Sequence, residues 1–449
     1  MPEKEKLRNI VDEALQNKEA AATMNALLQE MHPSDIAEVV LSLKFDKMVG
    51  VFRLLPDDLA GAVLTEADEP VRKDLLEDLS EEKIADIIDT MAPDIAVDVM
   101  ELLEPEEEKE VLSEVKAATA EDIKELRAYD PESAGGIMTT RYLSISDDSA
   151  IGDALDTTRT YPEDESIACV FVTDIDDHIA GVITLRHMLR SLPATPVKEL
   201  MDADVVSVNV NDDREDVAYA MQKYDFTVLP VVDDDNVLKG MVTVDDAMDA
   251  LEEENSEDMY RMAGTIARYP TKETVLLRLF QRLPFLLVTL AGGFVSAIVL
   301  SSSQANFHQV SALVFFIPVM AAMAGSVGIQ SATVIVRGLA LGDIDISKVG
   351  KIIVNEIRVG VLVALVCGSL AGLVGGLVIG DFSIGLIVMI SMILGVTMAA
   401  TISTLVPLFC EKINLDPALA SGPFITTIND ICGLTVYMLA ASLMLPLFK

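Results

Sequence analysis

A single carboxylate in a long apolar run is the side chain with the most chemical consequence. Between Pro417 and Phe448 the one charged residue is Asp430. About 20 apolar residues suffice to cross a bilayer, and a carboxylate at mid-span costs roughly 2.5–3.5 kcal/mol on insertion scales. Such an acid faces a water-filled path or a partner rather than lipid. Thr426, Thr427 and Asn429 place hydroxyl and amide oxygens beside it, and Gly433 adds a small surface. Small and polar neighbours around one acid suit a hydrated cation passage. The plainer alternative is a protonated or hydrogen-bonded acid that glues helices together.

Other acids fall at helical spacing outside the apolar runs. Asp94 and Asp98 stand four apart and share one helix face. Asp246 and Asp249, then Glu254 and Glu257, stand three apart in the acid-rich stretch from Val244 to Asp258. Like charges so placed destabilise a helix mildly unless a cation or partner offsets them. The alternative is a solvated acidic face on an exposed linker helix.

The charge balance separates the chain into two regions. The chain has 449 residues and a formal charge of −39. Residues 271–449 carry 9 basic and 8 acidic side chains of the 33 and 72 in the whole, which leaves 24 and 64, a net of −40, for residues 1–270. An excess this large repels itself in a compact state unless cations neutralise it. It argues against nucleic acid and anionic lipid as partners, because both attract basic surface. Cys169, Cys367, Cys410 and Cys432 show no metal-type spacing and no disulfide framework. The charged start, MPEKEKLRNIVDEALQ, reads as a helix rather than a signal peptide, which places the acidic half in the cytoplasm.

The elements that must position these acids change character along the chain. Residues 1–130 read as helices only, with a weak repeat at Pro33–Ala37, Pro56–Ala60 and Pro93–Ala96. Proline followed by acids suits a helix N-terminus, and Ile84, Ile87, Ile88 and Met91 return at helical period. Short repeated helices suggest a superhelical stack. From 131 to 259 the period shifts to that of strands. Val170–Asp174 with Gly181–Thr184, and Leu229–Asp233 with Gly240–Thr243, form two hairpin patterns 59 residues apart, each followed by a helix near Met188 and Met248. Beyond residue 271, charge-free runs cover Leu283–Val336, Val359–Ile379, Phe382–Cys410 and the stretch around Asp430. The first breaks at Ser301–His308, so five crossings are expected. Arg278, Arg282, Arg337, Lys348, Lys351 and Lys412 fall on one side, which makes that side cytoplasmic and puts the C-terminus outside. Gly368, Gly372, Gly376 and Gly380, four apart, predict a smooth ridge for close helix packing. Pro318 to Gln330 predicts a broken or closely packed helix lining a cavity.

The tandem hairpin units resemble a pair of CBS domains, modules that often bind adenine nucleotides between copies. Their nucleotide sites commonly carry Thr/Ser-x-x-Asp after the last strand. The second copy has Thr243-Val-Asp-Asp246, and the first has His187 where the acid is expected. The resemblance points to a nucleotide cleft near Arg186 and Phe226, with ATP as the ligand class, alongside CBS packing without nucleotide.

Taken whole, the chain resembles the MgtE family of magnesium channels. The segments that carry this are Asp416-Pro-Ala, Asn429-Asp-Ile-Cys-Gly-Leu434, and the Gly-x-x-Gly-x-Gln of the second span. The family usually has Gly-Asn-x-Gly there; here Ser326 replaces the amide in Gly325-Ser-Val-Gly328. The resemblance implies a multi-domain membrane protein. Its parts are an all-α superhelical N-domain (1–130), an α/β CBS pair (131–200 and 201–259), an acidic connector helix (244–270) and a five-span α-helical membrane domain (271–449). It implies a homodimer in the cell membrane that moves Mg2+ past Asp430 of each chain. Magnesium is hard and dehydrates reluctantly, so carboxylates would hold it through its waters, and a full protein cage would bind too tightly for flux. It also implies cytosolic magnesium sites that hold the pore closed, at Asp94, Asp98, Asp225, Asp246, Asp249, Glu254, Glu257 and Asp416. No Ser/His/Asp set, phosphate loop or His-rich site argues for an enzyme. The competing readings are a carrier of another divalent cation, such as Mn2+ or Co2+, and a membrane-anchored CBS sensor without transport.

Overall fold

A computed structural model describes Met24, Leu28 and residues 31–449, apart from 78, 162–168, 267–273, 303–310, 341–343, 345–348, 414, 421 and 448–449. The helix expected at the start, and the 303–308 part of the expected break after Ser301, lie outside the described residues. Contacts divide the chain into two compact units, Met1–Glu253 and Glu254–Lys449.

The first unit opens with short helices: α1 (Pro33–Leu41), α2 (Phe45–Phe52), α3 (Asp57–Thr65), α4 (Glu69–Leu76), α5 (Glu81–Ile88), α6 (Pro93–Glu101), α7 (Pro105–Glu114) and α8 (Ala117–Leu126). Proline stands in the first turn of α1, α6 and α7, where a missing N–H breaks no bond. Each helix is too short to be stable alone, so stability comes from a shared core. Ile36, Val40, Phe52, Leu64, Ile84, Ile87, Ile88 and Met100 are all buried in it.

Two three-stranded sheets follow. The first joins β1 (Ser144–Ser146) parallel to β2 (Cys169–Thr173), and β2 antiparallel to β3 (Ile179–Thr184). The second repeats the order with β4 (Val208–Asn209), β5 (Val228–Val232) and β6 (Leu238–Thr243). Helices α9 (Ile151–Thr160), α10 (Leu185–Arg190) and α11 (Arg214–Tyr224) accompany them. The hairpin tips of the two copies bond to each other, Ile179 N to Asn236 O at 3.2 Å and Leu238 N to Asp177 O at 3.1 Å. Thr139 exchanges backbone bonds with Met241 at 2.8 and 3.0 Å. Ala134 and Met138 accordingly lie in the core of the second sheet, not the first. Helix α12 (Val244–Ala263) leaves β6 directly.

The second unit is built on α13 (Val275–Ser302), α14 (Ile317–Ala340), α15 (Val349–Ile379), α16 (Phe382–Lys412) and α17 (Gly422–Met444). All five are long and apolar enough to cross a membrane. Helix α16 is the most enclosed, with Val388, Met392, Val396 and Ala399 fully buried. Of the two forms expected for the second span, the closely packed one is observed: the helix lines cavities and runs unbroken through Gly325 and Gly328, because Pro318 sits in its first turn, preceded by the 3-10 turn Ser311–Phe316. One expectation needs correction. The glycine ridge ends at Gly376. Gly380 faces open space with φ +77° and terminates α15, a left-handed residue rather than a packing one. Gly372 and Gly385 provide the close contact instead: a Cβ on Gly372 would meet the Gly385 carbonyl oxygen at 2.6 Å.

Candidate functional site: a mid-span carboxylate and a buried acidic cluster

Asp430 lies two turns into α17 and lines two cavities. One, of about 220 Å³, is bounded by Ser296 and Leu300 of α13, Met320 and Ala324 of α14, and Asn429 and Leu434 of α17. The other, of about 380 Å³, is bounded by Gly325, Ser326 and Ile329 of α14 with Thr426 of α17. Of the polar neighbours expected beside Asp430, Asn429 shares the first cavity and Thr426 the second, where Gly325 and Ser326 of α14 join them. Asp430 itself is half-buried, and its position between two cavities suits contact with water.

Its neighbour Asn429 is fully buried and points elsewhere. The Asn429 amide nitrogen donates to Ser403 Oγ at 2.8 Å and, more weakly, to the Ala324 carbonyl at 3.5 Å. A carbonyl only accepts, which fixes which end of the amide is nitrogen. Gly328 makes room for this amide, since a Cβ there would fall on it and on Ser403 Oγ. One residue thus ties α14, α16 and α17 and sets the rotation of the helix that presents Asp430. Asn429 Oδ1 and Ser296 Oγ have no protein partner among the described residues, and both residues line the smaller cavity. Buried polar atoms are rarely left unsatisfied, and water is their usual partner. Ser296 and Ser403 were invisible in the sequence: a lone serine in an apolar run carries no periodic signal.

The second constellation lies in the first unit. Asp94, in the first turn of α6, is 8% exposed, and its Oδ1 has no partner among the described residues. Burial, then the charge of Asp246, pushes its carboxyl up to about 7 against the opposing pull of backbone N–H groups. Asp246 is pushed up to about 6 by burial, with the Thr243 hydroxyl bonded to its Oδ2 acting the other way and Asp245 and Asp249 adding to the rise. Asp249 is raised by burial and then by Asp245 and Glu252. Two acids that cannot both ionise comfortably side by side form a place where a cation is favoured. The orphaned Asp94 oxygen fits a metal ligand. Asp98 differs: it forms an ion pair with Arg72 at 3.4 Å with its side chain 56% exposed. Asp225 stands elsewhere, exposed, as the left-handed residue at φ 55° that ends α11. Near the membrane domain, Glu257 and Asp416 are both paired with Arg261.

At the expected nucleotide cleft, Arg186 and His187 are exposed at the start of α10. Phe226 stacks on Tyr224, with centroids 5.6 Å apart and planes at 21°. Lys223 lies 5.2 Å over the Tyr224 ring.

Comparisons with known proteins agree with this division. Residues 317–440 match the MgtE family, described as a divalent cation transporter. Residues 31–132 match the MgtE intracellular N domain, and 134–194 and 197–253 match CBS domains. The chain is similar to the magnesium transporter MgtE of Thermus thermophilus, 32% identical over 98% of this chain and 99% of that one. It is also similar to the magnesium transporter MgtE of Enterococcus faecalis, 35% identical over 73% of each. Partial similarity to inosine-5′-monophosphate dehydrogenase of Nitrosopumilus maritimus covers 25% of this chain and 23% of that one, a length that fits the CBS pair alone. Among solved structures, the cytosolic domain of the Mg2+ channel MgtE in complex with ATP is 31% identical, covering 54% of this chain and 99% of that one, with a TM-score of 0.51.

Proposed function

The chain belongs to the MgtE family of divalent cation transporters, and from that premise we propose that it moves Mg2+ across the cell membrane past Asp430 and is closed by internal magnesium. The observation that carries this reading is a lone mid-span carboxylate lining two cavities in a five-span domain. A carboxylate reached by water can hold magnesium through the ion's own hydration shell, which that ion gives up reluctantly. Single-point, outer-shell contact keeps binding weak enough for release. One carboxylate per chain is a poor site for a divalent ion, so the working unit is a homodimer with Asp430 from each copy at the path. The basic loop residues orient the domain with the acidic half in the cytoplasm and the C-terminus outside.

Closure is the task of the acidic cluster. Asp94 and Asp246 repel each other when ionised, and a divalent ion between them reverses the sign of that interaction. An ion that binds the assembled arrangement and not the separated one shifts the population toward closure. Asp98, Asp225, Asp249, Glu254, Glu257 and Asp416 are the further gating acids in this reading. Asp98 differs from Asp94 in that Arg72 already pairs with it.

ATP is the ligand we propose for the CBS pair, by similarity to the cytosolic domain whose structure holds it. Phe226 and Tyr224 offer a face for a base, and Arg186 a charge for phosphate. The acid of the second copy, Asp246, is engaged by Thr243, and the first copy has His187 in its place.

The test of the ion path is flux. Asp430→Ala in liposomes should abolish magnesium uptake while the cytoplasmic half keeps its response to magnesium. Near-normal uptake by that variant would remove Asp430 from the path.

A further inference from the structure

The connector helix α12 ends on a guanidinium held by two acids. Arg261, in its last turn, pairs through Nη2 with Glu257 one turn back and through Nη1 with Asp416 Oδ2. Asp416 is engaged twice, because its Oδ1 also accepts the Ala418 N–H at 2.7 Å and caps the 3-10 turn Pro417–Leu419. That turn leads into α17, the helix that carries Asp430. A single side chain therefore fastens the end of the connector to the foot of the pore helix.

The backbone around this clamp is shaped for close approach. Helix α12 stops at Gly264, whose φ of +79° is the left-handed conformation that glycine adopts without strain. A Cβ on Gly264 would run into the Pro423 ring, and one on Gly422 would meet the Met262 carbonyl oxygen at 2.7 Å. A second arginine reinforces the attachment, with Arg337 Nη1 of α14 donating to Asn255 Oδ1 at 3.0 Å. Asp258 completes the charge pattern: burial and then Asp416 raise its carboxyl, while Arg261 and Arg337 hold it down. Asp430 lies eight residues beyond Gly422, roughly 12 Å along the helix axis. Displacement at the clamp is thus applied near one end of a rigid rod that bears the ion-path carboxylate.

Glu257 and Asp416 are two of the acids that the family resemblance assigns to magnesium. Here one tethered cation pairs with both, which leaves a single net negative charge on the trio. Arginine stays charged at every physiological pH and grips carboxylates with a rigid fork, so its hold needs no metal. We propose that Arg261 is a positioning residue: a built-in counter-ion that docks the connector on the foot of α17 without magnesium. On this proposal Glu257 and Asp416 leave the set of gating acids named above, and the magnesium dependence of closure falls to the others, Asp94 and Asp246 first among them. This rests on the reading that the cytoplasmic half controls an ion path at Asp430.

Hydrogen exchange of the full chain in lipid, read over the amides of residues 255–266, separates the possibilities. In metal-free buffer the parent should protect this turn. Arg261→Gln should exchange about tenfold faster, and added MgCl2 should restore protection, since the bared carboxylates then accept the ion. Arg261→Lys should keep protection without metal. Asp416→Asn retains the Ala418 cap but not the ion pair, so it should lose protection as Arg261→Gln does, and magnesium should not rescue it. Parent-like exchange in metal-free Arg261→Gln overturns the proposal, and so does a loss of protection in Arg261→Gln that magnesium fails to restore. Exchange is read independently of flux, so Asp430→Ala transporting normally would sink the ion-path reading while leaving this result interpretable.

Discussion

Asp94 is the side chain least at ease with its surroundings. In the unfolded chain its carboxyl titrates near 3.8, and in the fold it is pushed up to about 7. The fold therefore keeps a proton that the unfolded chain releases. This contribution to stability is fully present below about pH 4 and is lost as pH rises to about 7. Across that window the loss is ~4 kcal/mol as an upper bound. Magnesium competes with the proton for the same oxygens. Metal-free protein should accordingly unfold at lower temperature at pH 8 than at pH 6, and magnesium should recover the difference mainly at pH 8. Asp94→Asn keeps the shape without the charge, so its thermal unfolding should be flatter with pH and nearly indifferent to magnesium. If Asp94→Asn instead retains the parent's magnesium-induced stabilisation, Asp94 is not a ligand. The sequence indicated part of this. The spacing of Asp94 and Asp98 placed both on one helix face, but spacing is silent about what lies opposite. Burial beside Asp246 makes Asp94 consequential, while Arg72, 26 residues away, pairs with Asp98. Both depend on tertiary neighbours with no local signature.

At the scale of elements, charge-free length was enough to place the five long helices, and the strand period with its turns was enough to place both hairpins. Their closest contacts were less legible. Four glycines at a spacing of four looked equivalent, yet three face a neighbouring helix and the fourth ends its own. The difference is conformational: a left-handed C-terminal glycine and a packing glycine have the same side chain and different φ. It can be measured. A Cβ on Gly385 would strike backbone atoms of Gly372 and Gly376, which cannot swing away as a side chain could. Gly385→Val should therefore push α15 from α16 and cost roughly 1–3 kcal/mol, seen as a lower unfolding temperature in detergent. Gly380→Asn meets no atoms, and asparagine tolerates φ above zero, so it should leave the unfolding temperature almost unchanged. Equal losses in the two variants would mean that α15 and α16 do not approach as described. Gly328 stood out in Gly325-Ser-Val-Gly328, but its partner did not: it is small so that the Asn429 amide can reach Ser403.

For the molecule as a whole, the governing quantity is the net charge of −40 on residues 1–270. Repulsion of that size is screened over about 8 Å at physiological ionic strength, so it acts mainly where acids are forced close. A divalent ion shared by two elements binds only when they are together, whereas monovalent salt merely weakens the repulsion. Millimolar magnesium should therefore protect the cytoplasmic half from protease at constant ionic strength, and an equal ionic strength of potassium chloride should not. Replacing Asp246, Asp249, Glu254 and Glu257 by Asn or Gln removes ligands and repulsion together. Lost repulsion favours the compact state without metal, while lost bridging removes the further closure that magnesium provides. Only the second effect depends on magnesium concentration. The expected signature is thus loss of magnesium inhibition, whatever happens to basal uptake. Uptake measured against internal magnesium decides it. Inhibition of the quadruple variant at the parent's magnesium concentration would mean that these acids are a solvated face and that control of the path lies elsewhere.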